Sequence, residues 1–141
     1  MIEKDPPPSD LGDRNDIEIR LGADLAHLPI IRGVASNIAM RADFDLDTIA
    51  DLRLAVDEAC SELITRATTG SSMRCRFTFD DDQLRFHGAV LSADRAVPDT
   101  GSFGWKVLTT LADEATSWAE ADGTGHVVHI ALAKRRPAVD A

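Results

Sequence analysis

Four acids recur along one stretch at offsets of four, seven and four residues: Asp47, Asp51, Glu58 and Glu62. On an α-helix that spacing returns to the same side. A glutamate so placed beside a nucleotide pocket can accept the proton of a serine hydroxyl or a water as phosphoryl transfer begins. The same four acids repel one another, and the pattern equally describes a solvated face on which Arg66, four residues beyond Glu62, relieves the last of them. A second candidate is Gly101-Ser102-Phe103-Gly104, with Lys106 within one turn. Unpaired N–H groups and the positive end of a helix dipole favour an anion there, although a short Gly/Ser stretch is also an ordinary way to cap a helix.

The other reactive side chains are read as structural. Trp105 and Trp118 suit packing between helices and a sheet. His27, His87, His126 and His129 are scattered, and His126 and His129 in one strand point to opposite faces, so no metal-ligand set emerges. Cys60 and Cys75 have neither CxxC spacing nor a histidine cluster beside them and read as small core residues.

Alternation in Ile17-Glu18-Ile19-Arg20-Leu21 predicts a strand with one buried face. Asp24 as cap and Pro29 in the first turn predict a helix from Leu25 to Arg41, burying Leu28, Ile31, Ala35 and Ile38. Asp45 or Asp47 caps a longer helix reaching Ala67, with Ile49, Leu52, Val56, Ala59 and Leu63 as its apolar stripe, and Gly70 supplies the left-handed turn that follows. Met73–Phe79 and Leu84–Leu91 read as a hairpin about an acidic turn, and Phe103–Asp113 as a third helix. Ala115–Glu120 and His126–Ala133 read as two last strands.

The order β α α β β α β β lacks strict alternation of strand and helix. It predicts an α/β protein of the α+β kind: a two-layer sandwich in which a mixed, mostly antiparallel sheet carries three helices on one face. Domain boundaries are expected as a flexible acidic, Pro-rich tail over 1–16, one domain over 17–135 and a frayed tail over 136–141.

The chain of 141 residues, 44% hydrophobic and 28% charged, has the composition of one globular domain. Its net charge of −9 argues against wrapping nucleic acid, whose non-specific binding rests on clustered cations. The first residues lack the basic flank and apolar run of a signal peptide, and no 18 apolar residues run together, so neither export nor a membrane span is expected. Two cysteines and no disulfide framework fit a cytoplasmic protein.

Asp51-Leu52-Arg53-Leu54-Ala55-Val56-Asp57-Glu58-Ala59-Cys60-Ser61-Glu62-Leu63-Ile64 resembles the N box of the anti-sigma factor serine kinases, which have the histidine-kinase-like ATPase (Bergerat) fold. The D-L-R-L-A-V-D-E run, together with Gly101 to Thr109, is most similar to the actinobacterial anti-sigma F branch, and the element order agrees from Ile17 to Arg135.

The resemblance implies Glu58 as catalytic base and a Mg-ATP site. Glu62 stands where the family has the Asn that holds magnesium. Asp94 stands near the adenine-reading box without its glycines, and Gly101, Ser102, Gly104 and Lys106 stand at the phosphate-cradling box, where only Gly104 keeps register. The resemblance further implies a sigma factor and an anti-sigma antagonist as partners, a homodimer and a role in stress response. The departures at the magnesium, adenine and phosphate positions rank sequestration of the sigma factor ahead of phosphorylation of the antagonist's serine, and an ATPase-like domain that binds another regulator is the remaining alternative.

Overall fold

A computed structural model describes residues 15–94 and 97–137. Five strands, β1 (Asp16–Gly22), β2 (Ser72–Phe79), β3 (Gln83–Ser92), β4 (Glu114–Asp122) and β5 (Gly125–Arg135), form one sheet in the order β1-β2-β3-β5-β4. Every pairing is antiparallel, so the mostly antiparallel sheet read from the sequence is antiparallel throughout. Three helices cover one face: α1 (Leu28–Arg41), α2 (Leu46–Arg66) and α3 (Phe103–Leu111).

Local chemistry sets the ends. Asp24 accepts from the Ala26 amide and opens a 3₁₀ turn, Leu25–His27, which Pro29 converts into α1. The expected first helix thus begins with a tighter turn. Asp45 caps α2 by accepting from the Thr48 amide at 2.7 Å, and a hydrogen bond from the Thr48 side chain, then the one from its amide, hold the Asp45 carboxyl below the usual range. Gly70, at φ +79°, makes the turn into β2 in a conformation that a Cβ disfavours. Asp80 closes the β2–β3 hairpin by accepting from the amides of Asp82 and Gln83.

The core lies between the layers. Met73, Cys75 and Phe77 of β2, Leu84, Phe86 and Val90 of β3, and Val128, Ile130 and Leu132 of β5 alternate inward to meet Ile31, Ala35, Leu52, Val56, Leu63 and Leu108. Gly88 belongs to the same inward row, and a Cβ there would stand 2.6 Å from Leu63 Cδ1, so its missing side chain is what lets α2 approach the sheet. Cys60 and Cys75 are free and buried as expected, and they also face each other. A hydrogen bond to Cys75 and burial push the Cys60 thiol well up, which keeps it unreactive.

Two differences from the sequence reading carry physical reasons. Trp105 is buried in the core, but Trp118 lies on the opposite, uncovered face of the sheet and is 40% exposed, because its place in β4 pairs it with His129 rather than with the inward Ile130. Arg136, the first residue of the expected C-terminal tail, is held in place. β5 runs through Arg135, and Arg136 donates to the carbonyls of Ala42, Asp43 and Asp81 with its guanidinium 4.2 Å above the Phe44 ring. Of the expected tails, residues 1–14 and 138–141 lie outside the described residues, while Asp16 already belongs to β1.

Candidate functional site: the carboxylate pair of α2 at the start of α3

Glu58 and Glu62 stand one turn apart on α2, and Gly104, second residue of α3, lies against both. A methyl group at Gly104 would collide with Glu58 Oε1 and Glu62 Oε1. The pair and the helix start are therefore neighbours, an adjacency that only the family resemblance had implied. Burial, then the charges of Glu62 and Asp57 and a hydrogen bond to Glu62, raise the Glu58 carboxyl above its usual range. Glu62 is held from the other side by Arg66, whose Nη1 donates to Glu62 Oε2 at 2.7 Å and to the Glu62 carbonyl at 2.8 Å. This is the relief expected from their four-residue spacing. Asp57 has a partner that the sequence reading did not supply, Arg32 of α1, with Nε at 3.3 Å from Oδ1.

The loop before α3 is committed internally. Asp99 Oδ1 accepts from the Gly101 amide at 2.9 Å and the Asp99 carbonyl accepts from the Ser102 amide at 3.0 Å. Ser102 Oγ caps the helix by accepting from the Trp105 amide at 3.2 Å. Lys106 is exposed on α3, its carbonyl accepting from Thr109 and Thr110. Asp94 is exposed beyond β3 and approaches Ser92, Oγ to Oδ1 at 3.4 Å. Its neighbours Arg95 and Ala96 lie outside the described residues.

These residues bear on a nucleotide as follows. The amides of Gly101 and Ser102 serve Asp99, and the start of α3 faces two glutamates, one of them already holding Arg66. A triphosphate arriving here meets carboxylates where anion recognition needs donors. In this arrangement the Gly101 and Ser102 amides are not offered to a phosphate, and a triphosphate would need a cation between it and the two carboxylates.

A second constellation was missed. His87 Nε2 lies 2.8 Å from His129 Nδ1, and His129 Nε2 lies 2.7 Å from Glu120 Oε1. Trp118 stacks on His129 at 4.7 Å and 7° between planes, and on His87 at 5.5 Å. The four histidines read as scattered thus include one joined pair, although no group of three metal-ligating side chains forms among the described residues. The signal was the strand parity: His87, Trp118 and His129 all alternate with inward residues, and antiparallel register brings such positions together.

Three helices over one face of an open antiparallel sheet, with an acid-bearing long helix beside a glycine-marked helix start, define a histidine-kinase-type ATPase domain. Residues 21–132 match the family described as the histidine kinase-like ATPase domain, and the chain belongs to that family.

Among curated relatives it is 34% identical over 125 residues to the anti-sigma-F factor RsbW of Mycobacterium tuberculosis, covering 86% of this chain and 74% of that one. It is 30% identical over 95 residues to the serine-protein kinase RsbW of Bacillus pumilus, covering 64% and 54%. A crystal structure of the RsbU and RsbW domains of a Mycobacterium tuberculosis protein superposes with a TM-score of 0.61 at 19% identity, over 87% of this chain and 33% of that one, and shares the fold. Among the described residues no helix is long and apolar enough to cross a membrane.

Proposed function

We propose that this protein is an anti-sigma factor: it binds a sigma factor, holds it off RNA polymerase and releases it when an anti-sigma antagonist competes. The observation that carries this reading is the 34% identity over 125 residues to the anti-sigma-F factor RsbW. The helical layer supports it, because Ile30, Met40, Leu46, Leu54 and Phe103 are exposed there among acids, which suits a partner that is apolar and basic. A net charge of −9 steers toward the basic DNA-binding regions of a sigma factor. We place the protein in the cytoplasm, where sigma factors act, and expect a homodimer to hold one of them.

The alternative, a protein-serine kinase acting on the antagonist with Glu58 as base, is favoured by one observation: a glutamate with a raised pKa facing a helix start in a family that includes a serine-protein kinase. It ranks second because Glu62 replaces the magnesium-holding Asn, Asp94 lacks its glycines, and the Gly101–Gly104 loop spends its amides on Asp99.

Capture of sigma factors by the immobilised full chain, followed by titration with labelled ATP and magnesium, tests both. A stoichiometric complex released by antagonist, without transfer of phosphate, is the expected outcome. Micromolar ATP affinity with phosphate delivered to an antagonist serine, lost in Glu58→Ala while sigma binding persists, would reverse the order.

A further inference from the structure

The two edges of the sheet differ in what an added strand would meet there. Among the described residues β1 and β4 each have one strand neighbour, β2 and β5 respectively. Alternation along β1 turns Ile17, Ile19 and Leu21 toward the helices, where they are only half-buried, and Asp16, Glu18 and Arg20 toward the uncovered face. Two backbone bonds fix which residues of the strand serve β2: the Asn15 carbonyl accepts from the Phe79 amide at 3.2 Å, and the Ala23 amide donates to the Ser71 carbonyl at 2.9 Å. In an antiparallel ladder alternate residues turn both backbone groups to the same neighbour, so the odd-numbered residues serve β2, while Glu18 and Arg20 present their amides and carbonyls to the free edge. Gly22 is already engaged, because its carbonyl accepts from the Asp24 amide and lies 2.9 Å from His27 Nδ1.

The sequence of β1 is complementary to itself about Ile19. A second copy of the strand, run antiparallel with Ile19 opposite Ile19, brings Glu18 opposite Arg20 of the second copy and Arg20 opposite its Glu18. These are the residues whose backbone groups point outward, so side-chain charge and ladder parity select the same register. Within one chain Arg20 faces Arg74 across β1 and β2, a like-charge pair that Glu18 of the second copy would relieve. On the helix side Ile17 comes opposite Leu21 of the second copy, beside a hollow of about 480 Å³ whose lining includes Ile17, Ile38 and Phe79. The other edge has no such match: a second β4 centred on Trp118 would set Glu114 against Asp122 of the second copy.

We propose that two copies of this chain pair through β1, antiparallel about Ile19, with Glu18 and Arg20 of one copy meeting Arg20 and Glu18 of the other on either side of a two-fold axis. The axis stands perpendicular to the sheet, so the two sheets become one and both helical layers lie on the same face of it. The pairing deepens the homodimer expected above and rests on that part of the reading alone. A strand of 7 residues added edge to edge buries less than the roughly 1,200 Å² of a stable interface, which makes the contact a weak one.

Sedimentation velocity on the full chain from about 1 to about 500 µM is expected to show a monomer–dimer equilibrium with a dissociation constant of about 10–100 µM. Glu18→Arg and Arg20→Glu each set like charges opposite one another on both sides of the axis, and each alone is expected to weaken the dimer about tenfold or more. Mixed in equal amounts they are expected to regain the parent's association, since each variant supplies the charge the other lacks. Arg20→Glu should melt in urea at least as late as the parent, because its new carboxylate faces Arg74, so its loss of dimer does not come from unfolding.

A chain monomeric at about 500 µM, or a mixture no more associated than its two parts, would overturn the proposal. A dimer that both single variants leave unchanged would overturn it as well, and would leave the homodimer standing on another surface. At about 1 µM the pair is mostly dissociated, so sigma capture and its rates are read on single chains, and their failure counts against the anti-sigma reading alone.

Discussion

Glu58 and Glu62 repel each other across one helical turn, and that tension has a sign that pH can expose. A carboxyl whose pKa is raised by folding contributes stability below its usual value of 4.5 and loses it as pH rises through the folded value. At pH 7 the ionised pair therefore works against the fold. Glu58→Gln is expected to raise the unfolding free energy measured in urea at pH 7 by about 0.5 kcal/mol, the scale of a like-charge pair one turn apart. The gain should shrink toward zero below the usual glutamate range, and a midpoint that falls at pH 7 would refute the repulsion.

His87 runs the other way. Burial, then the neighbouring His129, Arg76 and Arg74, hold its imidazole below 6.5 against the pull of Glu120, so its contribution is full above pH 6.5 and drains as pH falls below that. In His87→Phe the stability loss between pH 7 and pH 5.5 is expected to be smaller than in the parent chain, by a few tenths of a kcal/mol, roughly the weight of a partial pKa shift. An unchanged slope would show that the His87–His129 contact does not titrate with folding.

At the scale of elements, two contacts decide how the layers meet. Gly88 lets α2 settle on β3, so Gly88→Ala must push Leu63 or Phe86 aside, and an expected cost of about 1–3 kcal/mol in thermal or urea melts follows from forcing extra volume into a packed core. Arg136 ties the end of β5 to the α1–α2 connection and to the β2–β3 turn. Removing it in Arg136→Ala gives up three hydrogen bonds to carbonyls and the stack on Phe44, for an expected loss of about 1–2 kcal/mol.

Elements of this kind were legible wherever a local rule governs: the alternation of β1, the caps Asp24 and Asp45 and the apolar stripe of α2 all read directly from the residues. What was not legible depends on register between distant strands. Trp118 looks like core until pairing with His129 puts it outside, and a basic tail looks frayed until Arg136 meets carbonyls more than ninety residues upstream. Glu58 and Glu62 share a face by local spacing, but their approach to Gly104 was implied only by the family resemblance, and the use of the loop's amides by Asp99 could not be read at all.

Charge is unevenly spread over the molecule: the uncovered sheet face balances its arginines with acids, while the helical layer carries an excess of acids. Asp45, Asp47, Asp51, Asp57, Glu58 and Glu62 all belong to α2 and its cap, so the helical layer is the side that draws a basic partner. If the sigma factor docks there, its association rate should fall about tenfold from 50 to 500 mM salt as screening shortens the reach of those charges, with dissociation changing far less. Asp47, exposed near the start of α2, belongs to that field without contacting the core. Asp47→Lys is expected to slow association at low salt and to leave the high-salt rate unchanged, because steering acts before contact. Arg20→Gln with Arg74→Gln, on the far face, should if anything quicken association, since it makes the chain more acidic. Stopped-flow traces of all three chains against one sigma factor separate these outcomes. A slowing by the arginine pair, matched by indifference to Asp47→Lys, would move the sigma contact to the sheet and reverse the assignment of the two faces.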